Sequence, residues 1–235
     1  MKLIVGCPVS HREWILDEWN QHVLSAVYAL DEDVDLSYCF LASDKDLGTV
    51  EKLVDFDTYS DVIISSEDER EDRRTWSQSR YEDMVYYRNA LLERIRFLKP
   101  DFFLSLDSDI LLHPEALKSA FTAFRDEVWA VGLRTYMTER STSHPSMGIW
   151  VDQQHRRYYR VDSRDITSCD IIMAAKLMKP EAYNVDYKLH TYGEDMGWSL
   201  GVTEAGGKLC YDGRVANKHV MVREQLNFVD ERVGF

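Results

Sequence analysis

Cysteine is scarce in this 235-residue chain, which has four. Cys7, Cys39, Cys169 and Cys210 lie far apart and form no C-x-x-C pair. That spacing argues against a zinc site or a disulfide framework and fits a reduced, cytoplasmic setting. Long apolar runs are also missing. No window approaches 18 apolar residues, so no membrane span is expected. The opening MKLIVGCPVSHREW is apolar over too few residues for a signal-peptide core. Basic residues are outnumbered, 28 against 41 acidic, for a formal charge of −13. A net acidic chain is a poor generic polyanion binder, although one local basic pocket for a phosphorylated small molecule is compatible with it. Repeats, low-complexity stretches and linkers are absent, which leaves one domain, 1–235, as the economical reading.

What is present is ordinary globular material, 45% hydrophobic and 29% charged. A chain of this length buries a large core without staples. KLIVGCPV reads as a buried parallel strand. Trp14, Ile15, Trp19, Val23, Leu24 and Val27 recur at helical spacing, predicting a helix over residues 11–30. DLSYCFLAS and DVIISSED read as strands, with a short helix or turn, TVEKLVDF, between them. YEDMVYYRNALLERIRFLK reads as a long helix stopped by Pro100. FFLSL, a helix after Pro114, and the strand VWAVGLRT follow. Strands alternating with helices imply βαβ units and a mostly parallel sheet. Residues 136–168 read as polar, aromatic loop. CDIIMAAKLMKPEAY then reads as a strand into a helix. A further helix over 194–205 and a last strand near 208–211 complete the chain.

One stretch does not behave like core. PDFFLSLDSDILLHPEAL interrupts an apolar strand with Asp107, Ser108 and Asp109. Ligands of open parallel sheets bind at the carboxyl ends of strands. Two carboxylates one residue apart at that edge suit a hard cation such as Mn²⁺ or Mg²⁺, shared with substrate phosphates. The bland alternative is a turn cap at Asp107 and a solvated Asp109.

LSLDSDILLHPEAL, YYRNALLERI, the opening strand into CPVSHRE, and HTYGEDMGWSLGVTEAGGKLCYDG together resemble the GT-A fold of nucleotide-sugar-dependent glycosyltransferases. The resemblance is greatest to inverting, family 2-like enzymes with a DxD motif, and it covers residues 2–220. It implies an α/β, Rossmann-like central sheet flanked by helices. Residues 1–110 would be the nucleotide-sugar-binding half and 111–235 the acceptor-binding and catalytic half. It implies a hexosyl- or pentosyltransferase that uses a UDP- or GDP-sugar and a divalent metal, with inversion by direct displacement.

By the same resemblance Asp109 is the direct metal ligand. Asp107 binds the donor ribose or reaches the metal through water, and His219 completes the metal shell. Asp195 is the base that takes the acceptor proton, and Glu194 orients the acceptor. Pro8, Ser10, Arg12, Asp68, Arg88, Asn89 and Ser108 are the expected donor contacts. Each also has a plainer reading: a helix cap for the acidic pair, a loop histidine for His219, a solvent-facing arginine for Arg88. Trp198 would face a sugar or simply fill core. Residues 136–168 depart from the family pattern, so the acceptor stays open. Their basic and aromatic side chains, His144, Trp150, His155, Arg156, Arg157, Tyr158, Tyr159 and Arg160, suit a saccharide, a lipid-linked sugar or, as in some phage-type enzymes, a modified nucleic-acid base. Two alternatives stand beside this reading. A nucleotidyltransferase would need a Gly-rich phosphate loop, which CPVSHREW lacks. A non-catalytic nucleotide-sugar-binding protein would not need the three acids Asp107, Asp109 and Asp195.

Overall fold

The structure is a computed structural model and describes residues 1–65, 78–137 and 146–226. Asp68 and His144 lie outside the described residues. In chain order the elements are β1 (Lys2–Gly6), β2 (Pro8–Val9), α1 (Leu16–Tyr28), β3 (Asp35–Ser43), α2 (Leu47–Val54), β4 (Ser60–Ser65), α3 (Gln78–Leu98), β5 (Phe102–Leu106), β6 (Ile110–Leu111) and α4 (Ala116–Phe121). They continue with β7 (Val128–Met137), β8 (Met147–Trp150), β9 (Tyr158–Arg160), β10 (Ile166–Cys169), β11 (Ile171–Ile172), β12 (Ala175–Met178), α5 (Pro180–Tyr183), α6 (Glu194–Glu204) and β13 (Lys208–His219).

The main sheet runs β10-β13-β7-β12-β5-β1-β3-β2, with β4 paired to β3 and β6 to β13. β1, β2, β3, β4 and β5 are mutually parallel, and β13 runs parallel to β7. β12 is antiparallel to both β5 and β7. The expected α/β architecture, a mostly parallel sheet flanked by helices, is the one observed.

Side chains alternate across a strand, so the central strands β1, β3 and β5 feed two cores. Leu3, Val5, Tyr38, Phe40, Leu104 and Leu106 face the core that α1 and α4 cover. Ile4, Cys39 and Phe103 face the other, under α3, α5 and α6. Of the expected stripe Ile15, Trp19, Val23 and Val27 are buried and Trp14 and Leu24 half-buried, while Leu16 and Ala26 complete the buried face of α1. α3 stops at Leu98, where Lys99 takes the left-handed conformation (φ 50°) before Pro100. The Lys2 ammonium donates to the Leu98 carbonyl at 2.6 Å and favours that helix end. β1 must end in glycine: a Cβ on Gly6 would lie 1.7 Å from the Cys39 carbonyl oxygen.

Two expectations give way. Residues 136–168 are not simply loop, because β8 and β9 form an antiparallel hairpin there and β11 joins its other edge. β10 pairs with β13. The last strand does not stop near residue 211: β13 continues to His219, through an irregularity between Asp212 and Ala216, and ends against β6.

Candidate active site

The carboxyl ends of the strands gather most of the anticipated side chains. β5 ends at Leu106, and a tight turn follows in which the Ile110 N–H donates to the Asp107 carbonyl at 3.0 Å. The buried Trp19 indole N–H donates to the same carbonyl at 3.2 Å, tying the turn to α1. Val220 N–H donates to the Asp109 carbonyl at 2.7 Å, so the end of β13 is bolted to the acidic turn. The register His219↔Ile110 in the β13–β6 pair brings the imidazole alongside. His219 Nε2 lies 3.3 Å from Asp109 Oδ1.

Arg12, from the loop after β2, donates to the other oxygen, Oδ2, at 3.1 Å. Its own backbone is held by the Thr49 hydroxyl, and His11 before it has φ 51°, pinned by the Asp46 carboxylate. Burial opposes the charge on Asp109, yet bonds from His219 and Arg12 hold its carboxyl below the ordinary range. Burial likewise disfavours charged His219, and the Asp109 contact outweighs it, raising the imidazole. Asp107 behaves differently. Burial pushes its carboxyl up, Arg88 pulls it back, and neighbouring Asp109 adds to the rise.

Arg88 is the hub. Only 4% exposed on α3, it donates from Nη2 to Asp107 Oδ1 at 3.0 Å, from Nε to Glu194 Oε1 at 3.2 Å and from Nη1 to the Ser105 hydroxyl at 3.3 Å. One guanidinium therefore joins the DxD turn to the first turn of α6. Glu194 is 5% exposed; burial and then Asp195 push its carboxyl up. Asp195 goes the other way, because Lys176 and Arg88 overcome the effect of burial. Gly193, at φ 116°, turns the chain into α6 and leaves both acids on its opening turn.

The residues present suit a divalent cation. Ligands in adjacent positions around an octahedral ion with bonds of about 2.1 Å stand about 3 Å apart. The Asp109 and His219 donor atoms, at 3.3 Å, match that spacing. Carboxylate with imidazole is a donor set for Mn²⁺. No group of three metal-ligating side chains converges among the described residues. Asp107 turns one oxygen to Arg88, with 32% of its side chain still accessible.

The other expected positions divide. Pro8 lies in β2 beside β3, Ser10 follows it, and Ser108 is buried within the acidic turn. Asn89 does not join the cluster. Its side-chain amide donates to the Tyr187 carbonyl at 3.0 Å and accepts from the Tyr187 N–H at 2.7 Å, so both ends are spent on backbone. Trp198 is fully buried and stacks near Tyr187 at 5.8 Å, which makes it core. Lys176, absent from the sequence expectations, is paired with Asp195. Its signal was a lone charge inside the apolar strand AKLM.

At the rim, Trp150 meets His155, Tyr158 and His190 at ring separations of 5.2, 6.0 and 5.3 Å. Tyr158 meets Tyr192 at 5.3 Å, and the Tyr192 hydroxyl donates to the Arg156 carbonyl. The β8–β9 hairpin thus leans on the loop that leads into Glu194.

No protein-family model and no curated protein sequence matches the chain. Solved structures do. S. aureus TarS 1–349 in complex with UDP-GlcNAc superposes with a TM-score of 0.59 at 13% identity, over 97% of this chain and 62% of that one. The mannosyltransferase PcManGT from Pyrobaculum calidifontis, in complex with GDP-Man and Mn²⁺, gives 0.59 at 13% identity, over 96% and 58%. GalNAc-T7 with UDP, GalNAc and Mn²⁺ gives 0.60 at 11%, over 93% and 44%. The chain therefore spans less than two thirds of each of these proteins, and what it has in common with them is the GT-A-like fold.

Proposed function

We propose that the chain is a metal-dependent glycosyltransferase that moves a sugar from a nucleoside diphosphate sugar to an acceptor hydroxyl, with inversion. The observation that carries this reading is a juxtaposition at one sheet edge. The Asp109–His219 pair, 3.3 Å apart, is linked through Asp107 and Arg88 to the acidic pair that opens α6. The fold's likeness to structures bound to UDP-GlcNAc and GDP-Man supports the donor class, and Mn²⁺ in the PcManGT and GalNAc-T7 structures supports the ion.

Asp109 and His219, with Asp107 beside them, would hold the divalent ion, which when bound offsets negative charge on the departing diphosphate. Arg12, the more exposed of the two arginines, supplies a fork-shaped donor for phosphate or ribose oxygens, while Arg88 holds Asp107 and Glu194 in place. Asp195 takes the acceptor hydroxyl's proton. The acceptor oxygen forms its bond to the anomeric carbon as the carbon–phosphate-oxygen bond breaks, and the nucleoside diphosphate leaves with the electron pair. Glu194, held by Arg88, orients the acceptor. The aromatic rim of Trp150, Tyr158 and Tyr192, edged by Arg156 and Arg157, is the acceptor side of the cleft. A saccharide face packs on such rings, and a nucleic-acid base would also stack there.

The test is donor breakdown. The protein is incubated with UDP- and GDP-sugars and Mn²⁺, with and without EDTA. EDTA-sensitive release of nucleoside diphosphate is expected, faster when a fitting acceptor is present. Donor binding without release would make it a binding module, and pyrophosphate release from nucleoside triphosphates would make it a nucleotidyltransferase.

A further inference from the structure

Lys176 has no part in the reaction just described, yet it is the most fully enclosed charge in the cluster. It sits in β12 with 0% exposure. An ammonium cut off from water needs a counter-ion. Its partner is Asp195 Oδ1. The second oxygen of that carboxylate accepts from the Ala174 N–H, at 3.3 Å. Both oxygens of Asp195 are therefore held from the approach to β12 and from β12 itself, while the Asp195 backbone belongs to α6. The rings of Tyr187 and Trp198, each 5.5 Å from the ammonium, wall the site. The remaining charged and titratable groups around Asp195 are Glu194 on its own helix, Arg88 from α3, Asp107 after β5 and Tyr187 before α6. Arg88 is already bonded to Glu194 and Asp107. Among the described residues that leaves Lys176 as the cation whose ion pair is with Asp195.

We propose that Lys176 is the positioning residue for Asp195: from β12 it fixes the orientation of the carboxylate and keeps it ionised among the neighbouring acids. The proposal rests on the reading of Asp195 as the base. The pairing lowers the basicity of Asp195, which suits a base that takes the proton as the new bond forms rather than before it.

Four variants and two readouts test it: Lys176→Met, Lys176→Arg, Asp195→Asn and the Lys176→Met/Asp195→Asn double variant. In the transfer assay Lys176→Met should lose about a hundredfold in kcat, the scale of a misplaced catalytic group. Donor KM should stay unchanged, and the acidic limb of the kcat profile should move to higher pH. Lys176→Arg should restore most of the rate, and Lys176→Met should cost nothing further in the Asp195→Asn background. The second readout needs no turnover. In protein labelled with [¹³Cγ]Asp, the Asp195 signal, identified by its loss in Asp195→Asn, should titrate at higher pH in Lys176→Met than in wild type. If Lys176→Met does not fold, Lys176→Gln, which keeps an N–H donor without the charge, should show the same upward move. An unmoved Asp195 titration overturns the proposal whatever the enzyme does. A rate loss with an unmoved acidic limb, or an added loss in the Asp195→Asn background, overturns it too. A wild type that breaks down no donor but shows the titration shift would overturn glycosyl transfer and leave the Lys176 clamp standing.

Discussion

Arg88→Met removes the one cation that serves two buried or half-buried carboxylates. Glu194 has no other cation bonded to it among the described residues, and Asp107 loses its 3.0 Å partner. Methionine fills similar volume, so the loss is mainly electrostatic. Breaking a buried pair by deleting one partner costs roughly 3–5 kcal/mol, because the abandoned charge stays dry. With a urea m-value near 3 kcal/mol/M for a domain of this size, the midpoint should fall by about 1–1.7 M at pH 7. The pH dependence gives the cause away. Burial already raises both carboxyls, and Arg88 opposes that rise. Without Arg88 their folded-state values climb further above the unfolded ones. A carboxyl raised in the folded state destabilises above its folded value and not below its unfolded value. The deficit should therefore be full at pH 7 and shrink as pH falls toward about 4, the ordinary carboxyl range. Urea titrations followed by tryptophan fluorescence at several pH values measure both. A midpoint within about 0.3 M of wild type at pH 7, or a deficit that does not change with pH, would refute the claim that Arg88 neutralises this pair.

Asp195→Asn should cut transfer by about 10²–10⁴-fold, the span of general base removal, with donor affinity by calorimetry unchanged; undiminished transfer would place the base elsewhere. His219→Ala should raise the Mn²⁺ concentration needed for half-maximal donor release and leave thermal stability near wild type, so a Mn²⁺ dependence identical to wild type would remove His219 from the ion's shell. Gly197→Ala should fold poorly and melt well below wild type, because the added Cβ would lie 1.9 Å from the Lys188 carbonyl oxygen; an equal Tm would mean that α6 can slide to make room.

The parts of the fold that were legible are those whose burial repeats locally. β1, β3 and β5 are mostly apolar and buried over their later positions, and α1 writes its buried stripe in five residues at helical spacing. Two of the missed strands have side chains that face water, whereas β8, only four residues long, is half to fully buried. In β9 Tyr159 and Arg160 are exposed, as are Ile166 and Ser168 in β10, so neither leaves an apolar pattern. The far half of β13 is a different failure. DGRVANKH holds Gly, Asp, Asn and two bases and has little strand character of its own. It is a strand because β7 and β6 offer it partners, and such pairings are invisible in a local window. That unread half delivers His219 to Asp109. A histidine that reads as a loop residue in isolation becomes a site residue through pairing alone.

The site shows the same division, with charge in place of pattern. Asp107 and Asp109 stood out because acids rarely end a core strand, whereas Glu194 and Asp195, which read plainly as helix caps, were singled out by the resemblance of the segment HTYGEDMGWSL to the family pattern. Arg12 and Arg88 stood out as ligand-binding bases, yet in this structure each is bonded to a carboxylate of the site itself. A buried charge has to be paired or neutralised. Four acids gathered at one sheet edge therefore demand several cations close by, and counting them is a constraint a sequence reader can apply once the acids are located. Arg12, Arg88 and the imidazole of His219 answer for three. The fourth has to come from an element packed against the opening of α6. In the strand AKLM, Lys176 has an apolar residue on each side, and no water-exposed position is open to it. Its enclosure is costly unless it faces an acid, and the acid it faces is Asp195, the residue proposed here as the base.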